Sequence, residues 1–226
     1  GPTSVVGWAS DSSASEPTMP FRSVVLSCAF VALGISAVRA EPSPMQAPSS
    51  TVAWHCYRND VATVLATEKQ DAVGTTFRVR PPTAALKADC EVDPRGTDVV
   101  LGATDDDAYY YIALFRSFLI LDNGTGPDRA LAIHEVPGGR KLLATGYSVK
   151  GNCQPTEGCM SDEFSIEERG LTFWGEIDEK PTAKNCKDYA SFMKTTGSAA
   201  IEEKSVFNFA TRKVERSGKK RCTARQ

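Results

Sequence analysis

The sequence predicts a mostly β fold, an antiparallel sandwich or partly closed barrel with one helix packed on it and disulfides as staples. Three observations carry that prediction. Apolar residues recur with period two more often than 3.6, turn formers punctuate the chain at hairpin spacing, and the cysteines outside a predicted leader are even in number.

The leader comes first. Residues 1–18 (GPTSVVGWASDSSASEPT) are small, polar and without periodicity, and read as an upstream segment outside the fold. Residues 19–40 have the build of a cleavable export signal: Met19, a positive charge at Arg22, an apolar run from Val24 to Val38, then Val38-Arg39-Ala40 before the expected cut. The run is shorter than the roughly 20 residues that span a bilayer, and Ser27, Gly34 and Ser36 dilute it. Leu26-Ser27-Cys28 is no lipidation signal, because most of the apolar run lies after the cysteine. Residues 41–51 (EPSPMQAPSST) read as a Pro/Ser-rich linker, and residues 52–226 as one β-rich domain. No membrane span is expected after cleavage.

Of seven cysteines, Cys28 falls in the predicted signal, leaving Cys56, Cys90, Cys153, Cys159, Cys186 and Cys222. In an exported protein such a set reads as three bridges, and sequential pairing is the expectation. Gly151, Pro155 and Gly158 would fold Cys153 back on Cys159. Zinc is disfavoured, since there is no C-x2-C pair and the chain holds only two histidines, His55 and His134.

Thr75–Arg80 alternates Phe77 and Val79 with Arg78 and Arg80. Leu171 and Phe173 alternate with Thr172 and Trp174, and Phe207 and Phe209 with Val206 and Asn208. Asp60–Lys69 carries both helical spacing and a Val/Thr-rich strand composition, and strand is preferred. Tyr109–Leu121 is too apolar for alternation, which predicts a place central to the sheet, split into two strands at Arg116-Ser117.

Phe118–Asp122, Ala130–Val136 and Lys141–Ser148 are separated by 123–128 and by Pro137-Gly138-Gly139-Arg140, and form an antiparallel meander. The meander also looks like one propeller blade, but no second copy of its turn pattern follows. Cys186, Tyr189, Ala190 and Met193 fall at helical spacing, with Thr182 as N-cap and Gly197 as stop, so a buried stripe is expected there. A final hairpin, Val206–Ala210 with Lys220–Thr223, is expected to turn at Ser217-Gly218.

Enzyme motifs are missing: no G-x-S-x-G, H-E-x-x-H, G-x-x-x-x-G-K-[ST] or G-x-G-x-x-G occurs. With its cysteines bridged the domain has no thiol nucleophile. His134 shares a strand face with Ala132 and Val136 and reads as a sheet residue rather than a base. Glu167, Glu168, Glu176, Asp178 and Glu179 could supply a carboxylate pair for glycoside hydrolysis. Calcium would be sought at Asp105, Asp106 and Asp107, or in the Asp122–Asp128 loop, although neither keeps EF-hand spacing. No cofactor is expected.

A net charge of −2 argues against nucleic acid as partner. Arg212, Lys213, Arg216, Lys219, Lys220, Arg221 and Arg225 crowd the C-terminus against Glu215. This run would either dock an acidic partner, with Lys219, Lys220 and Arg221 as binding candidates, or guard an edge strand against aggregation. The build is similar in size and staples to periplasmic lysozyme inhibitors. Their S-G-x-x-Y loop has its nearest counterparts in Ser217-Gly218-Lys219-Lys220-Arg221, where arginine replaces the tyrosine, and in Thr196-Gly197-Ser198.

The expected function is that of an exported, non-catalytic binding or inhibitor-type protein of the periplasm or cell exterior, with a protein or envelope polymer as partner. The alternatives are an envelope-assembly component and a secreted hydrolase without a local motif.

Overall fold

The computed structural model describes residues 43–45, 54–126, 128–152 and 154–226. The predicted upstream segment and export signal lie outside the described residues.

Sheet A holds β1 (Ser43–Met45), β2 (Trp54–Arg58), β3 (Thr63–Glu68), β4 (Thr75–Arg80) and β5 (Val99–Leu101), in that order. Sheet B holds β6 (Tyr109–Phe115), β7 (Phe118–Asn123), β8 (Arg129–Glu135), β9 (Arg140–Ser148), β11 (Gly170–Glu176), β12 (Ser198–Asn208) and β13 (Lys213–Arg225). Its order is β13-β12-β11-β9-β8-β7-β6, with β10 (Ser165–Ile166) paired to β11 off that path. Every pairing is antiparallel. The predicted meander is therefore present as β7-β8-β9, and the preferred strand reading of Asp60–Lys69 is β3.

Side chains two apart share a face, and the inner faces of the two sheets pack together as a sandwich. Val64, Phe77 and Val79 of sheet A meet Leu119, Leu121 and Ala132 of sheet B in one core. Sheet B then buries its second face against itself. Phe118 on β7 and Phe207 on β12 lie four strands apart, a distance of about 19 Å across a flat sheet, yet their ring centroids are 5.9 Å apart. The sheet must curl. A second core of Ile120, Leu131, Ile133, Leu171, Phe173 and Phe209 fills the curl.

This curl explains the apolar run at Tyr109–Leu121 and corrects its placement. β6 is an edge strand, not a central one, and is apolar because cores lie on both of its faces.

Sheet A hides its outer face under the 81–98 segment. Cys56 bonds to Cys90 with Cα atoms 5.7 Å apart, as sequential pairing predicted. Arg80, 1% exposed, forks onto Asp98 and also donates to the carbonyls of Glu91 and Asp93. Asp89, at the end of the one-turn helix α1 (Leu86–Asp89), takes Arg58 and the Thr83 hydroxyl.

Three expectations are corrected. Ser43–Met45, expected to be linker, pairs with Trp54–Cys56 as an edge strand. The helix α2 spans only Tyr189–Thr195; Thr182 tightens the turn before it, accepting at its carbonyl from Cys186, and none of the helical residues is buried. Met193 is exposed, and α2 is held to the sheet by the Cys186–Cys222 bond that precedes it. Finally, Ser217-Gly218 is a bulge inside β13 opposite Lys204, and the hairpin turns at 209–212 instead. Gly218 supplies the positive φ the bulge needs.

Cys159 is disulfide-bonded, whereas Cys153, its predicted partner, lies outside the described residues. Among the described residues no helix is long and apolar enough to cross a membrane.

Candidate functional site

The curl that fills the second core also opens a seam. β8 pairs with β9 from Arg129↔Tyr147 to Glu135↔Arg140, but β9 pairs with β11 only at Ser148↔Trp174 and Tyr147↔Gly175. Beyond that point Ile177 stays with β12, its N–H bonded to the Ile201 carbonyl, and β9 is left behind. The 140–146 edge of β9 has no strand partner among the described residues on that side.

Glu176 marks where the strands part. Its carboxylate stands over Gly146, where a Cβ would lie 2.4 Å from Oε2. Only glycine leaves that space, the reading a lone glycine inside a strand invites.

Three cavities meet at Glu176. One, about 440 Å³, is lined by Thr145, Gly146 and 176–180. A second, about 340 Å³, adds Asn123, Asp128, Arg129, Ser198 and Arg225. A third, about 240 Å³, reaches the second core past Leu143, Phe173, Ile177 and Val214. Strand alternation sorts the walls: Phe173 and Ile177 point to the core side, Glu176 to the polar side.

A buried charge network frames the polar side. Glu202 is fully buried and takes Arg221 Nε and Arg225 Nη2, each at 2.7 Å, and the Ser148 hydroxyl at 2.8 Å. Arg221 also bonds Glu163 and lies 4.1 Å from the Trp174 ring centroid. Burial pushes the Glu163 carboxyl up, but the hydrogen bond and charge of Arg221 prevail and hold it below the usual range. Arg225 reaches past Glu202 to within 3.7 Å of Glu176 and 3.9 Å of Asp128.

The predicted binding residues therefore divide. Arg221 is locked into the framework. Lys220 pairs with Glu179 at 2.6 Å, and Lys219 lies 5.8 Å from the Trp174 ring centroid. Arg212 and Arg216 answer Glu135 and Glu203. Much of the C-terminal basic run is thus balanced by this chain's own carboxylates. The inhibitor-like segments are framework too: Ser217 donates to the Lys204 carbonyl, the Gly218 N–H donates to Glu203, and Thr196-Gly197-Ser198 closes α2.

The carboxylates considered for hydrolysis also divide. Glu168 pairs with Arg116 and Glu167 accepts from Ser165, away from the seam. Glu176, Asp178 and Glu179 share the cavity of about 440 Å³. Hydrogen bonds from Lys220 and Asn185 hold the Glu179 carboxyl below its usual range, the opposite of what a general acid needs. Among the described residues a raised carboxyl belongs to the buried Asp122, which lines none of these cavities: burial lifts it against the Tyr147 hydroxyl at 2.8 Å and Arg129 at 3.2 Å.

His134 sits in the first core's wall, with Nδ1 3.1 Å from the Gly139 carbonyl oxygen and its ring edge-on to Tyr109; burial lowers its pKa. His55 lies beside Tyr57.

At the calcium candidates, Lys69 Nζ donates to the carbonyls of Thr104 and Asp107, and Asp107 accepts from the Thr104 hydroxyl. Asp105 and Asp106 are exposed. Among the described residues no group of three or more His, Cys, Asp or Glu is placed to hold a metal.

No protein-family model, curated protein or solved structure matches this chain. What the seam does must come from its own geometry. Glu202 and Gly146 were not singled out as site residues from the sequence, and Arg225 entered only as one of the C-terminal basic run. Only Gly146 carried a local signal, as a glycine between strand residues.

Proposed function

We propose that this chain is an exported, disulfide-stapled binding or inhibitor-type protein of the cell envelope, acting through occupancy of the β9–β11 seam rather than through catalysis. The observation that carries the reading is the seam itself: two residue pairs join strands that elsewhere in the sheet pair along much of their length. A concave, part-polar and part-apolar slot at a parted sheet suits a ligand. The bridges Cys56–Cys90 and Cys186–Cys222 fit an oxidising compartment and a rigid scaffold for such a slot.

The test is capture from envelope extract by the immobilised full chain, compared with a Thr145→Trp variant that fills the slot. Seam-dependent capture is expected; identical capture by both proteins contradicts the reading. A hydrolase is the second reading, favoured by the meeting of Glu176, Asp178 and Glu179 in one cavity. Turnover of envelope glycans that Asp178→Asn abolishes would establish it instead.

A further inference from the structure

We infer that the seam accepts an extended peptide that adds to the free edge of β9 and alternates apolar with basic side chains; this rests on the seam being the binding site. A strand edge presents unpaired N–H and C=O groups, a ready template on which an extended peptide can add as a further strand. Pairing of β9 with β11 stops at Tyr147↔Gly175, so the added strand would continue sheet B where β11 leaves it.

Side-chain alternation then defines the occupant. One face of the added strand meets Leu143, Phe173, Ile177 and Val214, the open end of the second core. The other meets Glu176, Asp178 and Glu179, against Lys180. Glu179 is answered by Lys220, and Arg225, 3.7 Å from Glu176, is taken at 2.7 Å by the buried Glu202; Asp178 is exposed and, like Lys180, has no ion-pair partner among the described residues, so Glu176 and Asp178 together stand against Lys180. The uncompensated charge is negative, so the residues facing it are basic. Alternation of this kind is the period-two pattern that only an extended chain presents.

The experiment titrates the full chain with a short peptide of alternating valine and lysine. Two controls accompany it: alternating valine and glutamate, and alternating proline and lysine, which keeps the charge but cannot pair as a strand. The valine–lysine peptide is expected to bind, with both controls weaker by about tenfold or more. Asp178→Lys, at an exposed position, is expected to reverse the preference for charge.

Neighbouring N–H groups on a strand point to opposite sides, so of Ala144→Pro and Thr145→Pro one removes a bond to β8 and the other an outward donor. The variant that keeps the parent's melting temperature is expected to lose the peptide. Equal binding of the proline–lysine peptide, or no binding of the valine–lysine peptide, overturns the inference. So does a concentration-dependent dimer that competes with the peptide, which would make a second copy the occupant. Seam-dependent capture from envelope extract without peptide binding overturns this inference alone; loss of both removes the seam as a site.

Discussion

Gly146 and Glu176 face each other across the end of the β9–β11 ladder, so closely that one added methyl on Gly146 would lie 2.4 Å from the glutamate's Oε2. The closest obstructing atom is the far end of a flexible side chain, and the Glu176 Cβ, at 3.2 Å, needs to give by only a few tenths of an ångström. Gly146→Ala should therefore cost about 1 kcal/mol or less while swinging the carboxylate out of place. The expected result is weaker ligand capture with a nearly unchanged melting temperature.

Gly175, which pairs with Tyr147 in the last rung before Glu176, provides the contrast. There a Cβ would lie 2.6 Å from the Phe173 ring, which is packed in the second core. Gly175→Ala should cost about 1–3 kcal/mol as overpacking. Chemical denaturation of both variants checks the pair, and similar losses would mean that Glu176 is as fixed as Phe173.

Arg80 and Asp98 join at 2.9 and 2.7 Å with both side chains 2% exposed. Burial raises the Asp98 carboxyl, but hydrogen bonds and charge from Arg80 and Arg95 outweigh it and hold it below 3.8. A depressed folded-state pKa stabilises fully above the unfolded value and is lost as pH falls through the folded one. Asp98→Asn should cost about 3 kcal/mol near neutral pH, because it strands a buried guanidinium. It should also flatten the acid limb of the stability curve below about pH 4, read by urea unfolding across pH.

Asp122 behaves with the opposite sign. Burial raises its carboxyl above 3.8 despite the Tyr147 hydroxyl and Arg129. Its contribution is complete below the unfolded value and fades as pH rises through the folded one. The stability gap between the parent and Asp122→Asn should therefore narrow from pH 4 to pH 7. A widening gap in urea unfolding would contradict the burial of this group.

The two described bridges should differ in reach. Cys56–Cys90 and Cys186–Cys222 close loops of similar separation, 34 and 36 residues, each contributing about 4 kcal/mol on chain entropy. Yet the 81–98 segment keeps Arg58, Arg78 and Arg80 as further ties, whereas α2 buries no residue of its own. Replacing Cys186 and Cys222 by alanine should free the amides of Tyr189–Thr195 to exchange rapidly. Replacing Cys56 and Cys90 should leave exchange in the 81–98 segment slower than that.

The sheets were legible in the sequence wherever a strand borders a turn, as in Phe118–Ser148, because period two and turn formers are local signals. The sequential bridges Cys56–Cys90 and Cys186–Cys222 were legible as well. The seam was not, since it depends on where Ser148 meets Trp174, and registers between distant strands leave no local trace. The helix was overread for a related reason. Cys186, Ala190 and Met193 are spaced for a buried stripe, but Cys186 is spent on Cys222 before the helix begins, and Ala190 and Met193 face outward. Ser217-Gly218 carries turn chemistry that a bulge requires equally.

Amide hydrogen exchange along β9 tests the central claim most directly. If β9 parts from β11 after Tyr147↔Gly175, Tyr147 is flanked by strands on both sides and Ser148 by β11, while within 143–146 protected amides facing β8 should alternate with rapidly exchanging ones facing the slot. Slow exchange at every amide from Leu143 to Gly146 would mean that the seam is closed and that the binding site proposed here does not exist.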